Sequence, residues 1–203
     1  MSQQIDNKLN SPACDRNREP ILSELKRTLK SSSGILLEIG SGTGQHAGYF
    51  APSFPEIIWQ PSDLPENLNN IELWRREFNL SNIKPAIELN IAHTPWPITN
   101  IQTIFTANTL HIISWPLVES FFEGVSQTLD SGGLCLVYGP FNYKGKFTST
   151  SNEQFDAWLK SRDPESGIRD FKAVNNLAIC HGLTFVEDVP MPANNRMLIW
   201  QKN

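Results

Sequence analysis

This sequence shows no closely spaced cysteine pair, no long apolar run and no recognisable secretion signal. Each absence argues against one class of protein. The 203 residues include three cysteines without C-x-x-C spacing, so we expect neither a disulfide framework nor a zinc ribbon. No apolar stretch approaches the ~18 residues that cross a bilayer, and the polar segment 1–10 lacks the apolar core of a secretion signal. We therefore expect reduced thiols and a cytoplasmic location.

Basic charge is also sparse. The chain has 17 Lys and Arg against 21 Asp and Glu, a net charge of −4, which is a poor match for a nucleic-acid backbone. Its 4 histidines are scattered, without metal-ligand spacing, so we expect no metal site. These features favour a small-molecule partner over nucleic acid, a membrane or a metal, and they leave the oligomeric state open.

Short apolar runs alternate with helical patterns along most of the chain. Strands are predicted over 35–39, 56–60, 86–91, 102–107 and 134–138, and helices over 21–29, 45–51, 71–78 and 118–129. Pro20 is expected in the first turns of the first helix, and the glycine-rich turn 131–133 is expected to close the last one. This alternation predicts an α/β fold with parallel strands and crossover helices.

The alternation stops after residue 138. Residues 139–150 predict a loop and 152–160 a short helix, followed by a helix over 171–181 and strands over 183–187 and 196–200. At this length we expect a single domain over 1–203, with a flexible N-terminus over 1–14 and a substrate-side insertion over 139–170.

The stretch LLEIGSGTGQ, residues 36–45, places three glycines directly after an apolar run. Glycines there permit positive φ and let a ligand touch the main chain. The stretch lacks the lysine of a phosphate loop, and its third glycine comes one residue too early for a dinucleotide loop. It matches acidic-x-G-x-G-x-G, which is typical of class I S-adenosylmethionine-dependent methyltransferases. A plain glycine-rich turn with a solvated glutamate is the alternative.

The acidic residue of this pattern suits a cationic donor. S-adenosylmethionine carries an ammonium and a sulfonium, which a nearby carboxylate attracts, whereas it would repel a pyrophosphate. The residues predicted to bind the cofactor in this loop are Glu38, Gly40, Ser41, Gly42 and Gly44.

Further cofactor residues are predicted after the next three strands. Asp63 follows the second strand, where its carboxylate can accept both ribose hydroxyls, and Leu64 is its neighbour. Asn90 at the end of the third strand, with Ile91, and Asn108 after the fourth complete the prediction. Two of them have a plain alternative, Asp63 as a turn residue and Asn90 as a strand-end asparagine.

Several segments together resemble the methyltransferase-like protein 26 family. They are the N-terminal SPA…RN…EPIL, then LEIGSGTGQH, WQPSD, NTLHI and YGPF, so the resemblance runs from Ser11 to Trp200. It implies a Rossmann-like class I methyltransferase fold, with a mostly parallel seven-stranded sheet and helices on both faces, and S-adenosyl-L-methionine as cofactor. It implies no settled acceptor. One departure is Cys14, where the family is expected to have alanine.

Methyl transfer requires mainly the alignment of donor and acceptor. A general base is needed only where the attacking atom starts protonated, and His111, after the fourth strand, is the best-placed candidate. A packed histidine that shapes the site is the alternative.

Aromatic and amide side chains suit a small, partly polar acceptor. The candidates of this kind, together with one arginine, are Arg16, Asn17, Tyr138, Phe141 and Asn142. Alternatively, the N-terminal helix covers the sheet and the aromatic residues only fill the insertion. Because ligands of open parallel sheets lie beyond the carboxyl ends of the strands, we expect one crevice to collect these groups. The sequence predicts a methyltransferase acting on a small molecule. A non-catalytic donor-binding module and a nicotinamide-dependent oxidoreductase are the alternatives.

Overall fold

The computed structural model describes residues 8–203, so the first seven residues of the predicted flexible N-terminus lie outside the described part. The described residues form six α-helices and eight strands. The helices are α1 (Pro12–Thr28), α2 (Gln45–Phe50), α3 (Pro65–Phe78), α4 (Trp115–Thr128), α5 (Thr150–Arg162) and α6 (Phe171–Cys180). The strands are β1 (Gly34–Ile39), β2 (Ile57–Asp63), β3 (Ile87–Glu88), β4 (Ile101–Ala107), β5 (Leu129–Asn142), β6 (Arg169–Asp170), β7 (Leu183–Met191) and β8 (Asn195–Lys202).

The chain divides into two compact units, one ending at Leu89 and the other beginning at Asn90. In the first unit, β2 lies between β1 and β3, and all three strands are parallel. In the second unit, β4 and β6 run parallel to β5, whereas β8 pairs antiparallel with both β5 and β7. The predicted mixed α/β fold with mostly parallel strands is confirmed.

Helix α1 is longer than the apolar pattern indicates, and Pro20 lies in its interior rather than in its first turns. An interior proline removes one hydrogen bond and costs ~3 kcal/mol. The helix persists because its apolar face, formed by Ile21, Leu22, Leu25 and Leu29, is almost fully buried. Each such side chain contributes about 1.5–3 kcal/mol, so tertiary burial outweighs the proline.

The third strand is much shorter than predicted. Only Ile87 and Glu88 pair with β2, opposite Ser62 and Asp63. The side chain of Asn90, predicted to end this strand, instead accepts a hydrogen bond from the amide two residues later at 3.0 Å. That local turn takes the chain out of the strand conformation.

The fifth strand is much longer than predicted and includes the residues expected to close the preceding helix. The pairing of β4 with β5 jumps from Ile101↔Leu129 to Thr103↔Leu134, so residues 131–133 bulge within the strand. Residues 139–142, predicted as loop, continue β5 because they pair with β8 and with β6, a two-residue strand that the sequence pattern did not predict.

Candidate functional site

The glycine loop joins β1 to α2 at the carboxyl end of β1. Two of its glycines, Gly42 and Gly44, have different surroundings. Gly44 has φ +86°, and a Cβ there would lie 2.9 Å from the Ile71 Cα of α3, so this position requires glycine for packing. Gly42 has φ +56°, but a Cβ there would have no atom of the described residues within 4 Å. Its main chain therefore faces open space from which a ligand can approach.

Asp63 ends β2 and is bound to the glycine loop. Its Oδ2 accepts a hydrogen bond of 2.6 Å from the Gly42 amide. Its Oδ1 accepts from the Leu64 amide at 2.7 Å and from the Asn67 side chain at 2.8 Å. A carboxylate has about four acceptor sites, and three are used here. Accepting both hydroxyls of a ribose would therefore require one of these donors, such as the Asn67 amide, to move.

Glu38, the acidic residue of the motif, is buried in β1. Its Oε2 accepts a hydrogen bond of 2.8 Å from the Trp59 indole of β2. Burial, with a smaller contribution from the nearby Asp63 carboxylate, raises the pKa of its carboxyl, hydrogen bonds from Trp59 and Ser41 lower it, and the net value is about 7. Near neutral pH this carboxyl is thus poised to lose a proton when a cation arrives.

Two serines fix the ends of β1 and β2 beside this carboxyl. The Ser41 amide donates to the Ser62 carbonyl at 3.0 Å, and the Ser62 amide donates back to Ser41 Oγ at 3.1 Å. Ser62 Oγ also donates to the Glu38 carbonyl at 2.7 Å. This network holds the glycine loop at the edge of the parallel strands, where ligands of such sheets bind.

The two acceptor-side candidates of α1 differ in exposure. Arg16 is exposed, whereas Asn17 is buried and its Oδ1 lies 2.8 Å from His46 Nε2 of α2. The His46 ring stacks on Phe50 with centroids 5.0 Å apart, and burial lowers its pKa to about 4. The Asn17 carboxamide therefore joins two helices, and its predicted contact with an acceptor stays a prediction.

The remaining cofactor candidates lie in the second unit. Asn90 and Ile91 are half-buried in the turn that follows β3. Asn108 directly follows β4 with φ +61°, and its amide donates to the Tyr138 carbonyl at 2.8 Å. Asparagine tolerates this left-handed conformation better than most residues. The prediction that these residues share a crevice with the glycine loop stays a prediction.

His111 lies in the loop after β4, next to α5 and β5. Its ring meets Phe155 edge-on with centroids 5.3 Å apart, and a Cβ at Gly139 would lie 3.5 Å from His111 Nδ1. Burial and the charge of Arg169 lower the pKa of His111 to about 4. At pH 7 its imidazole is neutral and can accept a proton, but it is a weaker base than an exposed histidine.

Arg169 is a residue of this region that sequence reasoning missed. Its Nε donates to the Leu110 carbonyl at 2.9 Å, and its Nη2 donates to the carbonyls of Ile113 and Glu165. The Gly167 amide donates to the His111 carbonyl at 2.9 Å. Arg169 and Gly167 thus bind main-chain carbonyls of the loop 108–113. Such contacts leave no sequence pattern, because every residue has a carbonyl.

The three acceptor-side candidates of β5 lie in a paired strand. Tyr138 and Phe141 are 3% and 1% exposed. Asn142 donates from Nδ2 to the Ile168 carbonyl at 3.4 Å, and its buried Oδ1 has no hydrogen-bond partner among the described residues. Of the three, Asn142 has a buried polar atom without a partner among the described residues, which is uncommon in folded proteins.

Within residues 8–203, no three His, Cys, Asp or Glu side chains are grouped so that they could hold a metal ion. In the same part of the chain, no helix has both the length and the apolar character that crossing a membrane requires.

Comparison with known proteins gives a family and a fold. A family model described as a protein of unknown function, DUF938, matches residues 8–202. An O-methyltransferase family protein from Burkholderia thailandensis has a TM-score of 0.81 at 13% identity, covering 94% of this chain and 57% of that one. Human N-acetylserotonin methyltransferase, solved in complex with S-adenosylmethionine, has a TM-score of 0.78 at 16% identity, covering 94% and 53%.

A third structure, PigF with S-adenosylhomocysteine, has a TM-score of 0.79 at 14% identity, covering 94% of this chain and 64% of that one. The chain therefore spans less than two thirds of the length of each of these proteins. At such identities the likeness establishes the shared fold, that of class I methyltransferases.

Proposed function

This chain belongs to the DUF938 family of proteins of unknown function, and we propose that it is an S-adenosylmethionine-dependent methyltransferase acting on a small-molecule acceptor. The observation that carries the proposal is the bond between the Gly42 amide and Asp63 beside the buried Glu38. The exposed main chain of Gly42 and the carboxyl groups of Glu38 and Asp63 thus lie at the ends of two adjacent parallel strands, β1 and β2. The donor and product seen in two proteins of the same fold support this assignment.

The donor would be held by the first unit. The Gly42–Gly44 main chain offers close approach, Glu38 offers a carboxyl suited to a cationic ammonium, and Asp63 offers acceptors for ribose. Ser41 supports this edge by its bonds to β2. From their positions at strand ends, we propose that Asn90, with Ile91, lies beside the adenine and that Asn108 lies near the methionine moiety and the acceptor.

The acceptor side is proposed to include the loop after β4 and the end of β5. His111, neutral at pH 7, would accept a proton from an acceptor hydroxyl or amine, and the unpaired Oδ1 of Asn142 would accept a hydrogen bond from the same class of group. Chemistry of this kind needs alignment more than strong acid or base, and alignment supplies on the order of 7–11 kcal/mol.

We also propose a finer family relationship and a location. The segments SPA…RN…EPIL, LEIGSGTGQH, WQPSD, NTLHI and YGPF support membership of the methyltransferase-like protein 26 family. Cys14, Cys135 and Cys180 are all free, which supports a reducing, cytoplasmic location.

A non-catalytic donor-binding module is the second candidate, and one observation favours it. Tyr138 and Phe141, predicted on the acceptor side because aromatic side chains suit a small acceptor, are almost fully buried. A panel of small acceptors, with S-adenosylhomocysteine release as readout, separates the two candidates, because turnover on any acceptor excludes the pure binder.

Calorimetry and thermal-shift measurements with S-adenosylmethionine test donor binding, which both candidate functions require. Ligand at 100 times its Kd stabilises a folded protein by about 2.7 kcal/mol, which raises Tm by roughly 5–10 °C at this size. We expect such a shift in the wild type and its loss in Gly42→Arg, whose side chain would fill the open space at the loop.

Gly132→Arg is the matched control. Gly132 also has positive φ and open space, with φ +79° and no atom of the described residues within 4 Å of a Cβ, but it lies in the β5 bulge. If Gly132→Arg still binds the donor, the loss of binding in Gly42→Arg comes from the side chain that fills the space at the loop. Strain of an arginine at positive φ would not explain it. A wild type that gives no heat and no shift at millimolar donor would overturn the proposed function.

A further inference from the structure

The residues before α1 lie along α3 in an extended segment, Lys8 to Ser11, which we call the N-terminal strap. The Leu9 amide donates to Asn70 Oδ1 at 2.6 Å, and the Leu9 carbonyl accepts from the Trp74 indole at 2.8 Å. The Lys8 ammonium lies 3.5 Å from the centroid of the Trp74 ring. The Leu9 side chain is 64% exposed, so Leu9 itself is held by its main-chain bonds, whereas the Lys8 ammonium also pairs with the Glu77 carboxylate.

Asn70 joins the strap to the middle of the glycine loop. While its Oδ1 accepts from the Leu9 amide, its Nδ2 donates to the Thr43 carbonyl at 2.9 Å. Thr43 lies between Gly42 and Gly44, so one planar carboxamide ties the strap to the part of the loop that faces open space.

Gln45 makes a second connection to the same loop residue. Its Oε1 accepts from Thr43 Oγ1 at 2.9 Å and from the Ser11 amide at 2.5 Å, and its Nε2 donates to Asn10 Oδ1 at 2.8 Å. Gln45 is 5% exposed. If the strap left, this buried carboxamide would lose two of its partners, which is unfavourable for a buried polar group.

The first turn of α1 continues the contact. The Cys14 thiol interacts with the side chains of both Ser11 and Thr43. The strap and the glycine loop are thus joined at the Thr43 carbonyl through Asn70 and at the Thr43 hydroxyl through Gln45, with both partners in the first unit.

We propose that the N-terminal strap is a positioning element of the donor site, and that Asn70 and Gln45 are the positioning residues that couple strap docking to the conformation of the glycine loop. The inference rests on the proposed function, because the ligand of the loop is taken to be S-adenosylmethionine. A docked strap fixes Thr43, and through it the main chain of Gly42 and Gly44. Since coupling between two sites is reciprocal, a docked strap strengthens donor binding, and bound donor strengthens strap docking.

Leu9→Pro and Leu9→Ala form the matched pair that tests the coupling. Proline removes the amide that donates to Asn70, whereas alanine keeps it, and both remove the same exposed side chain. In calorimetric titrations with S-adenosylmethionine we expect Leu9→Ala to bind like the wild type. Leu9→Pro should bind up to about tenfold more weakly, because the lost hydrogen bond weakens strap docking and the coupling passes that loss on to the donor.

Gln45→Ala provides a second break in the same connection, with its folding checked by thermal unfolding. We expect its donor affinity also to fall about tenfold. A second readout distinguishes coupling from a merely structural role. Hydrogen exchange of the Leu9 and Ser11 amides should slow several-fold when the wild type binds donor, and this slowing should be lost in Gln45→Ala.

The outcomes separate the two proposals. If the wild type binds donor but Leu9→Pro and Leu9→Ala bind equally well, or if bound donor leaves strap exchange unchanged, the coupling is overturned and the donor site stands. If the wild type does not bind S-adenosylmethionine, the proposed function is overturned and the coupling with it.

Discussion

At the scale of single residues, the most informative group is the acidic residue of the glycine motif. Glu38 was predicted as a carboxylate near a cationic donor, and the structure places it among buried atoms with a pKa of about 7. A carboxyl in this state is partly protonated at neutral pH, because burial disfavours its charge. An incoming ammonium favours the ionised form, so donor binding and proton release are linked.

The first prediction at this scale concerns Glu38→Gln. The ionised fraction of Glu38 rises about tenfold between pH 6 and pH 8 if its pKa is about 7. The donor's own amino group titrates against both proteins alike, so the ratio of wild-type to Glu38→Gln affinity isolates this residue. We expect that ratio to rise up to about tenfold from pH 6 to pH 8 in calorimetric titrations. A ratio that is flat with pH would contradict the role assigned to Glu38.

At the scale of elements, the loop after β4 owes its shape to a distant segment. Arg169 of β6 donates to the carbonyls of Leu110, Ile113 and Glu165, and the Asp156 carboxylate of α5 accepts from the Ile168 amide at 2.7 Å. The loop that carries His111 is therefore held by the segment between α5 and β6.

Arg169→Ala should loosen this loop. Hydrogen bonds from a charged donor contribute about 1.5–3 kcal/mol each, and part of that is regained from water, so we expect a loss of about 2–4 kcal/mol in the free energy of unfolding. The pKa of His111, measured by NMR, should rise because a nearby positive charge is removed. Urea denaturation gives the stability change.

Arg162→Ala is the control for this prediction. Arg162 lies over the Trp158 ring at 4.9 Å, in contact with a residue that is 49% exposed, so its loss should change stability by less than about 1 kcal/mol. Equal stability of the wild type and Arg169→Ala would show that the guanidinium does not hold the loop.

At the scale of the whole molecule, three buried groups set the pH dependence of stability, and their signs differ. His46 in the first unit and His111 in the second have pKa values lowered to about 4. The unfolded chain binds their protons below about pH 6.5, so stability falls as the pH drops from 6.5 to 4. Glu38, with its raised pKa, acts oppositely and adds stability as the pH drops from 7 to 4.5.

The magnitudes decide the net result. Each of the three shifts corresponds to about 3 kcal/mol at its limit, and two act against one, so we expect a net loss of about 3 kcal/mol between pH 7 and pH 4. The lowered pKa of Glu72 acts in the same destabilising direction. Urea denaturation at the two pH values measures the change. In Glu38→Gln the loss of stability between pH 7 and pH 4 should be larger. A wild-type urea midpoint that is unchanged or higher at pH 4 would contradict the assignment of neutral buried histidines.

Local patterns in the sequence were enough to predict most of the element types and the glycine-loop part of the candidate site. The run 35–39 and the glycines after it predicted β1 and its loop because a buried strand and a left-handed turn are each set by a few neighbouring residues. Asp63 was predicted to lie beside this loop because strand ends in a parallel sheet meet at one edge. Its bond to Gly42 is the contact that this rule implies.

Only the tertiary structure decided the rest, because the deciding contacts join residues far apart in the chain. Helix α1 stays continuous at Pro20 because its apolar face is buried. Strand β5 continues into the residues predicted as loop because they pair with β8. Desolvation, which no local pattern records, moves the pKa of Glu38 and His111. The roles of the Asn70 and Gln45 carboxamides follow only from the folded structure, which brings the strap next to Thr43. An amide has no fixed partner until folding places a donor and an acceptor beside it.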